Sequence, residues 1–304
     1  MREFYSSYPR RDKLCFSMVS KVSGFASELR HELCARNAAF AEAQRFSHVK
    51  SYGAVPVIVY APEADGRRHG NFFGASYRAI LKHPEWMRRM TKIHAQARRS
   101  LPTGDFSLHH RWRELDSCMS SDALLMNIFC CPGACTSKTI AGMLGIEVTD
   151  MPEFGHRARV PLLNAKFDRT EVDMKLGKLL VESKLTENDF QSQESALVER
   201  YRDLETIFDV PSLPRSGDHY LSYQLIRNVL AAHASGTSFC VIADARRPDL
   251  IEAWHTVMRC VRDVELRTRC KVLTWQELSR ALPRKLQKFL DVKYGIGAPA
   301  NNRA

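Results

Sequence analysis

Residues 169–185 read RTEVDMKLGKLLVESKL. Two runs of alternating apolar and charged residues flank Gly177-Lys178. Alternation with period two marks a strand that buries one face. Glycine at the first position of a two-residue loop suits a type II′ hairpin turn. Such a turn fixes the register and sets Asp173 opposite Glu182 and Glu171 opposite Lys184. One face of the hairpin then carries Glu171, Asp173, Lys175, Glu182 and Lys184. The other carries Val172, Met174, Leu176, Leu179, Val181 and Leu185. A hairpin with so complete an apolar face needs helices or a second sheet laid on it.

Two directly opposed carboxylates repel, at roughly 0.2–1 kcal/mol for a cross-strand pair. A divalent cation is a natural compensation: Mg²⁺ prefers carboxylate oxygen and usually retains waters and substrate phosphate. Lys184, on the same face, is placed to contact a phosphate or to position an attacking water. Burial would lower its pKa. A solvated hairpin face of alternating charges is the other reading of the same spacing. Glu171, opposite Lys184, is expected to hold that lysine by a salt bridge.

Asp173 followed by Glu182-Ser183-Lys184 on an apolar strand resembles the signature of the PD-(D/E)XK nuclease superfamily, the restriction-endonuclease-like fold. The literal Pro-Asp is absent, since Val172 precedes Asp173. The stretches SSDALLMNIF, LVESKLTENDF, YQLIRNVLAA and FCVIADARRPDL also resemble a bacterial restriction-endonuclease-like family. The resemblance implies an α/β restriction-endonuclease-like core, a mixed central sheet flanked by helices. It implies hydrolysis of DNA phosphodiester bonds with Mg²⁺, for which Mn²⁺ may substitute. Asp173 and Glu182 would bind the metal and Lys184 would assist the nucleophile. Gln224, on the helix after Glu-x-Lys, would stand near the phosphate or water. Glu114, on a helix leading into Ser120-Ser121, would bring a further carboxylate. Lys175 and Arg227 would contact nucleic acid. Asp244, Arg246 and Arg247 close an apolar strand, as functional groups or as a rim ion-pair cluster. A catalytically silent nuclease fold that holds nucleic acid is the alternative function.

The charge distribution agrees with a polyanion partner. The net charge is +11, and residues 1–100 hold 18 Lys+Arg against 8 Asp+Glu. A basic excess confined to one third of a chain suits phosphate contacts. The expected division is a basic, mainly helical region 1–105, a nuclease-like core 106–294 and a flexible tail 295–304. Helices are expected near 18–46, 75–99 (broken at His83-Pro84), 111–130, 187–207, 218–234, 248–263 and 275–290. Strands are expected at 54–60 and 237–244 and at KVLTW. Residues 136–146 resemble the start of a helix-turn-helix, or a short helix ending at a glycine cap.

The nine cysteines are irregularly spaced without CxxC, so reduced, mostly buried thiols are expected. An iron–sulfur cluster on Cys118, Cys130, Cys131 and Cys135 is the other reading. No run of about 18 apolar residues is present, and Met1–Arg11 has no apolar h-region. A cytoplasmic protein without membrane contact is the expectation. Double-strand cutting by one site per chain would call for a homodimer.

Overall fold

The hairpin closes as its spacing requires. Gly177 takes φ +55°, and the partners are Met174–Val181, Lys175–Leu180 and Leu176–Leu179. The computed structural model describes residues 12–51, 56–92, 113–148 and 151–297, with side chains from residue 24. The expected boundary at 105, His109-His110 and most of the basic stretch after Lys92 lie outside those residues.

In chain order the helices are α1 (Asp12–Gln44), α2 (Gly74–Lys82), α3 (Pro84–Met90), α4 (Ser121–Phe129), α5 (Lys138–Leu144) and α6 (Ser195–Val198). They continue with α7 (Leu204–Ile207), α8 (Tyr223–Ser235), α9 (Pro248–Arg259), α10 (Val264–Thr268), α11 (Trp275–Ser279) and α12 (Arg284–Tyr294). The strands are β1 (His48–Lys50), β2 (Ile58–Tyr60), β3 (Pro152–Arg157), β4 (Val160–Pro161), β5 (Phe167–Asp168) and β6 (Glu171–Leu176). Then come β7 (Leu179–Ser183), β8 (Gln193–Glu194), β9 (Arg215–Ser216), β10 (His219–Tyr220), β11 (Ser238–Ala243) and β12 (Cys270–Thr274).

The central sheet has the order β12-β11-β7-β6-β3. Strands β7, β11 and β12 run parallel, and β3 and β6 extend the sheet antiparallel. Period-two alternation divides the sheet between two cores. Leu180, Phe239, Val241 and Ala243 meet Leu225, Ile226 and Val229 of α8 and Trp254 of α9. Met174, Leu176, Leu179, Val181, Cys240 and Ile242 meet Leu125 and Ile128 of α4, Trp275 of α11 and Leu286 of α12. Leu29 and Leu33 of α1 join this second core. The mixed sheet covered on both faces is the expected fold class.

Several elements differ from expectation. The expected helix 111–130 is a 3₁₀ turn (Glu114–Asp116) followed by α4, because Ser120 caps a fresh start by accepting from the Ala123 N–H. Residues 187–207 form β8 and two single-turn helices, their apolar side chains pinned to the α8 core rather than along one long face. Strand β3 was not foreseen. Residues 138–144 are the short-helix alternative, ending at Gly145 in the left-handed region. The tail is ordered further than expected: Gly295 caps α12 and Ile296 is buried. Of the eight described cysteines whose side chains are placed, six are buried. No described helix is long and apolar enough to cross a membrane.

Candidate active site

Asp173, Glu182 and Lys184 gather where the hairpin ladder stops. The last paired residues are Met174 and Val181, so Asp173 and Glu182 stand one step beyond. There Asp173 turns to its neighbour's strand: its Oδ2 accepts from the Ser183 N–H at 2.7 Å and from Ser183 Oγ at 2.9 Å. Glu182 instead points towards α8. Its Oε2 accepts from Asn228 Nδ2 at 2.9 Å and its Oε1 from Lys184 Nζ at 2.8 Å. Gln224, one turn earlier on α8, accepts a second bond from Lys184 Nζ at 2.8 Å. The backbone at Lys184 is fixed from both sides, its N–H on Ile242 O and its carbonyl on Trp275 Nε1.

Burial and like charge set the electrostatics here. Burial, then the Glu182 and Asp122 carboxylates, push the Asp173 carboxyl well above its ordinary range. Burial works to depress Lys184, but Glu182, Glu187 and Asp173 together outweigh it and the lysine is raised instead. The ammonium is therefore the stable form, contrary to the lowered pKa expected from burial alone.

A second group of charges adjoins the first. Asp122, in the first turn of α4, accepts from Arg89 Nη2 at 2.6 Å. Arg89 Nη1 makes a short contact with Glu171 Oε1. Lys92 Nζ lies 3.1 Å from Glu114, 3.4 Å from Glu171 and 3.5 Å from Asp122. Asp173 stands between the groups, felt by Arg89 on one side and by Glu182 on the other. Burial would raise Glu171, but its bond to Arg89 holds it below the ordinary range. Glu114 is raised, by burial and then by Asp122.

The residues expected from sequence thus fall in distinct places. Asp173, Glu182, Lys184 and Gln224 come together. Glu114 joins through Lys92. Glu171 does not hold Lys184: the strands part at that step, and its partners are Arg89 of α3 and Lys92 just beyond that helix. Arg227 is only 1% exposed and donates from Nη2 to the Glu171 carbonyl at 2.9 Å, so it offers no surface contact as it stands. Its Nε and Nη1 have no partner among the described residues. Lys175 pairs with Leu180 and Glu153 nearer the turn. The Asp244–Arg246–Arg247 cluster is structural. Arg246 binds Asp244 and Glu32, and buried Arg247 holds Asp249 and the Glu187 and Asn188 carbonyls.

Asp122, Asn228, Arg89 and Lys92 were missed. An Asp in the first turn of a capped helix reads as a dipole complement. Asn228 lies four residues after Gln224, where Arg227 at three was chosen instead. Among the described residues no three His, Cys, Asp or Glu side chains are gathered so as to hold a metal ion as they stand.

A mixed sheet sandwiched by helices, with Asp and Glu-x-Lys at the open end of its central hairpin, defines a restriction-endonuclease-like α/β protein. The chain belongs to the family described as restriction endonuclease associating with ARP, whose model matches residues 38–295. No curated protein and no solved structure gave a significant match.

Proposed function

We propose that the chain is a divalent-metal-dependent nuclease that hydrolyses DNA phosphodiester bonds, in restriction, defence or repair. The observation that carries this reading is the convergence of Asp173, Glu182 and Lys184 at the open end of one hairpin, with Gln224 on the lysine. The donor set fits a hard cation. Asp173 and Glu182 supply carboxylate oxygens, and the Asp173 carboxyl is raised by burial and then by like charge, a penalty that a cation would relieve. Asp173 and Glu182 would hold Mg²⁺ or Mn²⁺, with Asp122 the nearest further carboxylate. Such an ion polarises a phosphoryl oxygen and lowers the pKa of bound water.

The chain's own groups do the positioning. Lys184, kept as an ammonium by Glu182, is a donor rather than a base, and its Nζ is aimed by Glu182 and Gln224 together. Asn228 fixes the second Glu182 oxygen, so the carboxylate cannot swing away. The basic excess of residues 1–100 supplies phosphate contacts, weakened by salt at about 0.9 log units per contact per log unit on duplex DNA. The family's description adds association with ARP, and we take such a partner to be part of this chain's function.

The test is cleavage of plasmid, linear duplex and single-stranded DNA with Mg²⁺ and Mn²⁺, comparing wild type, Asp173→Asn and Lys184→Ala. Both variants should lose cutting and keep most DNA binding. Lys184→Ala strips a partner from buried Glu182, which costs about 3–5 kcal/mol, so melting curves accompany the assay. Cutting by either folded variant at the wild-type rate would sink the reading. A linear plasmid product would point to a second copy at the site, as in a homodimer. A nuclease fold that binds without cutting has one observation in its favour: cations of the chain already sit on four of the carboxylates, Glu114, Asp122, Glu171 and Glu182. Metal-independent binding with no cleavage would establish it.

A further inference from the structure

The second charge group has a composition that the proposed chemistry does not use. Arg89 is 7% exposed, and its guanidinium is spent on two carboxylates of different elements, Asp122 and Glu171. Its Nε is buried with no partner among the described residues. Lys92 adds a second positive charge to the same two carboxylates and to Glu114. The Glu114 N–H donates to the Lys92 carbonyl at 2.9 Å, which fixes that residue in place. On the far side, Gly155 of β3 makes room. A Cβ there would lie 2.6 Å from Arg89 Nη1 and 3.0 Å from the Glu171 carboxyl carbon.

Five carboxylates, Glu114, Asp122, Glu171, Asp173 and Glu182, therefore face three cations, Arg89, Lys92 and Lys184. Without Arg89 and Lys92 the cluster would be strongly anionic. With them in place, Glu114, Asp122 and Glu171 are each ion-paired.

We propose that Arg89 and Lys92 are a displaceable cationic latch on the carboxylate cluster, competing with the divalent metal for Asp122, the further carboxylate nearest Asp173 and Glu182. The latch rests on the metal site proposed above. It keeps the metal-free fold neutral enough to close, and it sets the metal concentration at which the site fills. These two are positioning residues, acting through the carboxylates they hold.

The experiment is titration of the full-length protein with Mn²⁺, reading free ion by electron paramagnetic resonance, with melting temperature followed in parallel. Lys92→Met, whose side chain is partly exposed, is the milder variant, and Arg89→Met the stronger. Each should bind Mn²⁺ about tenfold more tightly than wild type, a change of the size that one close unit charge produces at the edge of a protein. Each should also melt lower without metal and gain more from it. Arg88→Met is the control. That side chain is on the same helix but pairs only with Glu85 in solvent, so it should shift the affinity less than about twofold.

Equal or weaker Mn²⁺ binding by folded Lys92→Met overturns the latch, and so does an equal gain from Arg88→Met. If Asp173→Asn abolishes Mn²⁺ binding while the latch variants leave it unchanged, the latch alone has failed. If Asp173→Asn leaves it intact, or wild type and variants bind no Mn²⁺, the metal site has failed and takes the latch with it.

Discussion

Asp173 is the residue whose chemistry most depends on what surrounds it. Its carboxyl is half-buried beside Glu182 and Asp122, so the folded state favours the protonated form. An unfolded Asp ionises near pH 4. As pH rises past that point the unfolded chain releases its proton and the folded chain does not. Stability is therefore full below pH 4 and falls as pH rises towards the folded value, after which the loss stays constant. Asp173→Asn removes the penalty while its amide oxygen still accepts from Ser183. Metal-free Asp173→Asn should melt at least ~2 °C above wild type at pH 7, the shift of roughly 1 kcal/mol in a chain of this size. The gap should close near pH 4, and a variant that melts lower at pH 7 would contradict it. This residue, with Glu182 and Lys184, was legible because hairpin spacing is a local code. Asp122, Arg89 and Lys92 were not, because each reaches the site from a short element distant in sequence. What makes them neighbours is the packing of α3 and α4 against β3 and β6.

At the level of elements, the hairpin register was readable for the three pairs next to the turn, since a two-residue glycine turn leaves little freedom, but the expected Asp173–Glu182 and Glu171–Lys184 pairs lie beyond the end of the ladder. The partners of the hairpin were less so. The α8 helix was expected, but which of its polar residues faces Glu182 depends on its rotation about its own axis. That rotation is set by Leu225, Ile226 and Val229 entering the core. Strand β3 was hidden because PEFGHR alternates poorly and holds a glycine. Gly155 sits at φ +69°, between the Phe154–Met174 and His156–Val172 pairs, and its missing side chain admits the Arg89–Glu171 pair. Gly155→Ala should cost about 1–2 kcal/mol from the left-handed backbone alone. The crowding of Arg89 adds to it. In a double-mutant cycle, Arg89→Met should therefore recover part of the loss, because the crowded nitrogen is gone. Denaturant midpoints measure this, and strict additivity would show that the glycine serves its backbone conformation only.

For the molecule as a whole, the N-terminal helix is fastened to the last one. Leu29 and Leu33 of α1 share a core with Leu286 and Leu290 of α12. Arg36 and Arg246 bind Glu32 beside them. At the centre of this junction is Lys293, fully buried and without a carboxylate partner among the described residues. Its Nζ meets Asn37 Oδ1 in a short contact and lies 3.9 Å from the Tyr60 ring centroid. Burial drives its pKa well below the ordinary lysine value. An unfolded lysine titrates near pH 10.4. As pH falls from there the unfolded chain gains a proton that the folded chain refuses, so stability is lost on the way down to the folded value. Lys293→Met keeps the apolar stem, and Asn37 Oδ1 retains the Tyr60 hydroxyl at 3.0 Å. The variant should be more stable than wild type at pH 7 by about 1 kcal/mol or more, the smaller end of the cost of a buried polar group with incomplete partners. Because other titrating groups contribute nearly alike to both proteins, the difference should shrink as pH approaches 10. Urea unfolding at pH 7 and pH 9.5 reads it directly. A less stable variant at pH 7 would mean that the Asn37 contact and the rings around Lys293 outweigh its desolvation, so that this buried lysine fastens the two ends of the chain together.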